Sequence, residues 1–178
     1  MGDPVLAVRT RGLARSRIFV CLLLLTGCAR APDAASAYRA GHYTDAHALL
    51  LVQAEHGDVP AQNALGVLYY TGVGAPRDYS QALHWFERAA LAGDTNARRH
   101  LGSMFRQGLG TTKDDFRAFG WYDAARQAGN PQAISYMQWM TLVVSPNQQA
   151  LGRRIVDKDL KAGRVSHATP ANGLNKEE

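Results

Sequence analysis

Part of this chain repeats itself with a period of 36 residues, and no other feature limits the fold so strongly. Ala61-Gln62-Asn63-Ala64-Leu65-Gly66 returns 36 residues later as Ala97-Arg98-Arg99-His100-Leu101-Gly102. At the same offset Tyr69 pairs with Phe105, Gly72 with Gly108, Gly74 with Gly110 and Asp78 with Asp114. Ala82 then pairs with Ala118, Trp85-Phe86 with Trp121-Tyr122, Ala89 with Ala125 and Gly93 with Gly129. Identities concentrated in glycine, aspartate and aromatic positions do not arise by chance. Self-similarity at a fixed period of roughly 20–50 residues marks a stack of supersecondary units that bury their apolar faces against one another.

Each unit reads as two helices. Ala61, Leu65 and Tyr69 fall at i, i+4 and i+8, one apolar stripe on a helix. Gly66 beside Leu65 leaves space for a second helix to approach. Gly72 and Gly74 end the first helix and turn the chain. Asp78 is placed to cap the second helix, with Gln81 three residues on as its capping-box partner. Ala82, Trp85, Phe86 and Ala89 alternate small and large, so that neighbouring hairpins interdigitate. Gly93 closes this helix, and Asp94 or Asn130 starts the next.

These residues resemble the Sel1-like repeat, a relative of the tetratricopeptide repeat, whose pattern runs A-x-x-x-L-G-x-x-Y-x-x-G-x-G and then D-x-x-x-A-x-x-W-Y-x-x-A-A-x-x-G. Two full copies, 61–96 and 97–132, follow it closely, although Arg126 stands where the first copy has Ala90. Ala75 and Thr111 replace the valine usual after the glycine pair. Upstream, 37–60 resembles a plain tetratricopeptide hairpin without the glycine loop. Downstream, Ala133 and Met137 keep the stripe, but Gln138 replaces the glycine. A last helix is expected over 147–162, with Leu151, Ile155 and Leu160 facing inward, which makes 133–162 a degenerate closing hairpin. Residues 163–178 are polar and read as a disordered tail. The resemblance implies an all-α fold, a short right-handed solenoid of about four hairpins, above the minimum of about three that such a stack needs.

The first 28 residues read differently. A basic segment (9–17) precedes an apolar run of eight (18–25), far short of the ~20 residues that span a bilayer but fitting a signal peptide. Leu25-Thr26-Gly27-Cys28 follows and resembles the bacterial lipobox. That resemblance implies removal of 1–27, a lipid on Cys28 and a tether over 28–36. Ala29 after the cysteine resembles the outer-membrane sorting pattern, which implies a periplasm-facing anchor. The basic segment is long, which points to a start codon downstream of Met1. Each buried methylene is worth ~0.8 kcal/mol, so two or three acyl chains anchor stably where one binds reversibly.

Charge and cysteine count narrow the function. The chain carries a formal +5, but four of twenty basic residues and one of fifteen acids precede Cys28, leaving an excess of two. So small an excess gives nucleic-acid binding little support. Both cysteines, Cys21 and Cys28, lie in these first 28 residues, so the repeat domain has neither a disulfide nor a thiolate cluster. His42 and His47 are five apart and share no helix face, so together with His56, Asp45 and Glu55 they do not suggest a metal. Gly72/Gly74 and Gly108/Gly110 follow helices, where a dinucleotide loop needs a strand before it and a third glycine after it. There is no G-x-S-x-G elbow. No catalytic residue and no cofactor are expected.

In helical repeats the first helices line a concave inner surface, and partners usually lie there. Opposite the apolar stripe that surface carries Asn63, Val67 and Tyr70, then Arg99, Ser103 and Arg106, then Ser135, Trp139 and Leu142. These side chains change between copies while the scaffold repeats. Arg99 and Arg106 suit a carboxylate or phosphate, and Tyr70 and Trp139 are residue types that anchor interfaces. Arg99 also reads as a solvated helix residue, and Trp139 as packing under the last helix. Sel1-like proteins are adaptors that gather other proteins, so the resemblance implies a membrane-tethered interaction module of the cell envelope. A module binding envelope glycan through the same face is the alternative.

Overall fold

The computed structural model describes residues 33–167. The leader, Cys28, the tether through residue 32 and the tail from 168 lie outside the described residues. Eight helices run through the described chain: α1 (Ala34–Arg39), α2 (Tyr43–Glu55), α3 (Val59–Thr71), α4 (Tyr79–Leu91), α5 (Thr95–Gln107), α6 (Asp115–Gln127), α7 (Gln132–Val143) and α8 (Pro146–Ala162). No strand occurs among the described residues, and no helix there is long and apolar enough to cross a membrane. The expected tether is shorter than 28–36, because Asp33 caps α1 by accepting the Ser36 amide at 2.7 Å.

Aspartates start the helices of both copies. Asp58 and Asp94 accept the amides of Ala61 (2.7 Å) and Ala97 (2.6 Å). Asp78 accepts from Ser80 and Gln81, and Asp114 from Phe116 and Arg117. The expected box with Gln81 does not close. The Asp78 amide instead donates to the Tyr69 carbonyl at 3.0 Å across the glycine loop, so it has no need of a glutamine. The loop's second glycine is a packing residue as well as a turn. A Cβ on Gly74 would strike the Tyr43 carbonyl, and one on Gly110 the Tyr79 carbonyl, 36 residues on. Each loop thus rests on the start of the preceding second helix.

Hairpins close where a glycine meets a ring. A Cβ on Gly66 would sit 2.7 Å from the Phe86 ring, and one on Gly102 would sit 2.8 Å from the Tyr122 ring. Around these contacts Leu65, Phe86, Leu101, Phe105, Trp121 and Tyr122 are fully or almost fully buried.

The C-terminal end departs from expectation. Residues 133–162 do not form a hairpin: α8 packs against α6 rather than α7. Gln138 stands where a ring would need a glycine, so α7 offers no seat for a following helix. Gly152 and Gly120 instead bring the backbones of α8 and α6 together, each too close to the other helix's main chain to admit a Cβ. The buried face of α8 is therefore Gly152, Val156 and Asp159, one position on from the expected Leu151 and Ile155, while the expected Leu160 is half-buried against the core. Asp123 of α6, its side chain 2% exposed, secures the crossing by accepting from Arg153 of α8 at 3.0 Å and from Arg126 at 2.8 Å.

The first tail residues are ordered. Ser166 donates its hydroxyl to Asp159 at 2.8 Å, and the buried Arg117 donates to the Ser166 carbonyl. His167 Nε2 lies 3.1 Å from the Glu87 carboxylate on α4. Burial first, and the Asp159 charge second, push Glu87 up to about 7.

Two outcomes follow from this packing. Gly102→Leu should overpack the Tyr122 contact and cost ~1–3 kcal/mol in thermal unfolding. The Glu87 carboxyl binds its proton more tightly folded than unfolded, so its stabilisation is present below the ordinary carboxyl range and lost as pH rises towards 7. Glu87→Gln should remove that loss, gaining on the order of 2 kcal/mol relative to the parent at pH 8 over pH 4, read from paired melts.

Candidate functional site

The stripe on the first helices grades from sheltered to open along the stack. Asn63, Val67, Tyr70, Arg99, Ser103 and Arg106 are half-buried, whereas Ser135, Trp139 and Leu142 are exposed. Tyr70 of α3 meets Tyr79 edge to face, with centroids 5.5 Å apart. On α5, Arg99 Nη2 lies 3.0 Å from Nε2 of His100, whose ring stacks on Phe86 at 4.6 Å. A guanidinium has only protons to give, so Nε2 accepts and the ring proton sits on Nδ1. Burial first, and the Arg99 charge second, hold His100 down at about 4, so the ring is neutral near pH 7.

At the open end five side chains converge. The Arg106 guanidinium lies over the Trp139 ring at 5.5 Å. Tyr122 and Tyr136 stack almost parallel at 4.9 Å. Arg106 and Ser103 flank the Tyr122 hydroxyl, while burial raises that phenol above its ordinary value. Ser103 Oγ also accepts from Gln107 at 2.7 Å.

The structure therefore joins Ser103, Arg106 and Trp139, places Arg99 beside His100, and leaves Asn63, Tyr70 and Ser135 outside the cluster. Two expectations change. Trp139 does not pack under the last helix but is 48% exposed, because α8 lies on α6. Arg99 and Arg106 are not clear of the packed body, since each is half-buried against an aromatic ring. Uncovered by α8, α7 presents Ile134, Tyr136, Trp139, Leu142 and Val143, with Leu142 83% exposed.

Sequence reasoning missed His100 and Tyr136. Both stand 36 apart and stack on Phe86 and Tyr122, which are themselves 36 apart. The offset alone could have found them, although neither is a conserved type in the repeat pattern. It also missed the buried Asp123, although an acid, Glu87, stands 36 residues before it, and the buried Arg117, whose counterpart is the neutral Gln81. Among the described residues no three His, Cys, Asp or Glu side chains gather as a metal site.

The Sel1 repeat profile matches residues 59–94 and 95–130, the same 36-residue period begun two residues earlier. No curated protein matches the chain in sequence. Among solved structures, c5321, a protective antigen of uropathogenic Escherichia coli strains displaying an SLR fold, is similar at a TM-score of 0.63 and 21% identity. The match covers 81% of this chain and 35% of that one. A Sel1 repeat protein from Oxalobacter formigenes is similar at a TM-score of 0.51 and 26% identity, over 67% of this chain and 53% of the other. The chain thus spans about a third and about half of these two proteins. It carries two Sel1 repeats, and its fold is that of a Sel1-like repeat solenoid.

Proposed function

We propose that this chain is a membrane-tethered protein–protein interaction module of the bacterial envelope. A lipid on Cys28 is its anchor, and the α5–α7 face is its docking surface. Sel1 repeats in general mediate contacts between proteins and are typically scaffolds without catalysis of their own. The observation that carries the reading is α7. Five large apolar side chains stand exposed on one twelve-residue helix, and Arg106 is held over the most anchor-like of them, Trp139. Isolated exposed apolar residues mean little, but a contiguous group bordered by polar residues marks an interaction site. Trp and Arg are the types that dominate binding energy in such sites.

The anchor follows from the leader. A basic segment, a short apolar run and Leu-Thr-Gly-Cys support acylation at Cys28, and Ala29 supports an outer-membrane position facing the periplasm. Cys28→Ser should abolish labelling by a clickable fatty acid and leave precursor uncut, because the modified cysteine is the cleavage substrate. Equal label in parent and variant would remove the anchor from this reading.

The docking surface is tested by replacing Arg106 and Trp139 together with alanine. Trp139 is half-exposed and Arg106 half-buried, so the double variant should melt within ~1 kcal/mol of the parent. Crosslinked capture of envelope proteins should fall at least tenfold, the scale of losing one hot-spot contact. Normal melting with normal capture would place docking elsewhere. Retention on sedimented peptidoglycan, lost in the same variant, would favour glycan as the ligand.

A further inference from the structure

A cleft of about 380 Å³ opens between α1 and α3, lined chiefly by Ala34, Ala35 and Tyr38 of α1, Leu50 of α2, and Ala64 and Val67 of α3. The repeat shows what such a cleft ordinarily holds. Thirty-six residues on, Leu50 and Ala64 become Phe86 and His100; after another 36 they become Tyr122 and Tyr136. In both later copies the first-helix residue lays a ring flat on the second-helix ring, at 4.6 and 4.9 Å between centroids. In the first copy the second-helix residue is an aliphatic Leu50, and the first helix supplies only the methyl of Ala64. The same place in the fold is therefore filled twice from within the chain and open once.

We propose that this cleft binds an aromatic side chain of a partner polypeptide, seated over Leu50 and Ala64 where His100 and Tyr136 seat their rings in the next two copies. The lining suits it: methyl and isobutyl groups make up most of it, and Tyr38, 46% exposed and edge to face with Tyr43 at 5.1 Å, completes it. Arg39 is the one charged residue of the lining. Val67 belongs both to the cleft and to the first-helix stripe, so the cleft continues the face assigned to docking. A ring is favoured over an alkyl chain because planar groups fill both sister positions. The inference rests on the reading of the chain as an interaction module and adds a second anchor point, remote in sequence from Arg106 and Trp139.

The test uses the full chain in phosphatidylcholine nanodiscs with methyl-labelled Ala, Leu and Val, titrated with N-acetyl-phenylalaninamide. The methyls of Ala35, Leu50, Ala64 and Val67 should shift saturably at millimolar probe. Ala64→Tyr, or Ala64→His where the tyrosine destabilises the fold, supplies the missing ring from within and should abolish the remaining shifts. Absence of saturable shifts in the parent overturns the proposal, as do shifts that persist unchanged in the filled variant. Decanoate moving the same methyls at tenfold lower concentration overturns it in favour of an acyl-chain site. Capture through Arg106 and Trp139 is scored on the same filled variant. If the parent's cleft ignores the aromatic probe while capture through Arg106 and Trp139 survives, this inference fails and the wider function stands.

Discussion

The structure depends on a missing side chain. Gly66 and Gly102 let the first helix of each copy come close enough for Phe86 and Tyr122 to lie against bare backbone. A closed hairpin brings its second-helix ring to the first-helix face, and there the ring becomes the platform on which the next first helix stacks its own side chain, His100 or Tyr136. One glycine thus sets both the closure within a copy and the register between copies. Protein interiors pack near crystal density, so such a contact is not adjustable by small shifts.

The end of the array obeys the same rule. Once Gln138 occupies the glycine position, no second helix can seat a ring on α7, and the chain finds another backbone to approach. Gly120 and Gly152 provide it, and α8 lies on α6 instead. Val156 packs into the core beside the crossing, and polar contacts at Asp123 add to it. Asp123, almost fully buried, takes bonds from Arg126, Gln127 and Arg153 at once. A buried ionic group of this kind adds little net stability over an apolar one, but losing one partner is costly. Its role here is to specify where α8 docks.

The repeat made much of this legible, and what it made legible was the part under the same constraint twice. Aspartate caps, glycine turns and the glycine–ring closure recur at 36 residues, so each copy vouches for the other. The α8 crossing has no second copy, and Gly152 looks like any glycine in a helix until Gly120 faces it. That is why the inward face of α8 was expected one position early, and why Trp139 was expected under it. The docked tail was hidden for another reason. Ser166 and His167 are polar, and only the buried Asp159, Arg117 and Glu87 give them partners. The stripe residues lie on the first helices, where the helical phase put them. Their half-burial was not foreseen, because helical phase shows which way a side chain points but not which neighbour overhangs it.

Variation within the repeat then acquires a physical meaning. At the glycine–ring contact the two copies must agree, since a Cβ would collide. At the stacking position beside it they need not agree, and they differ from copy to copy: Ala64, His100, Tyr136. The methyl leaves an open cleft. The imidazole, kept neutral by burial, accepts from Arg99 and turns that guanidinium along the face. The phenol ring of Tyr136 covers Tyr122, whose hydroxyl lies against Ser103 and Arg106 while Arg106 spans to Trp139. One position, freed from the scaffold's demands, thus produces three different local surfaces along a single face. A partner crossing all three would meet a hydrophobic cleft, then a cation, then an exposed indole. A rigid stack can therefore be specific without any catalytic group, because the order of those surfaces is set by the same spacing that holds the helices together.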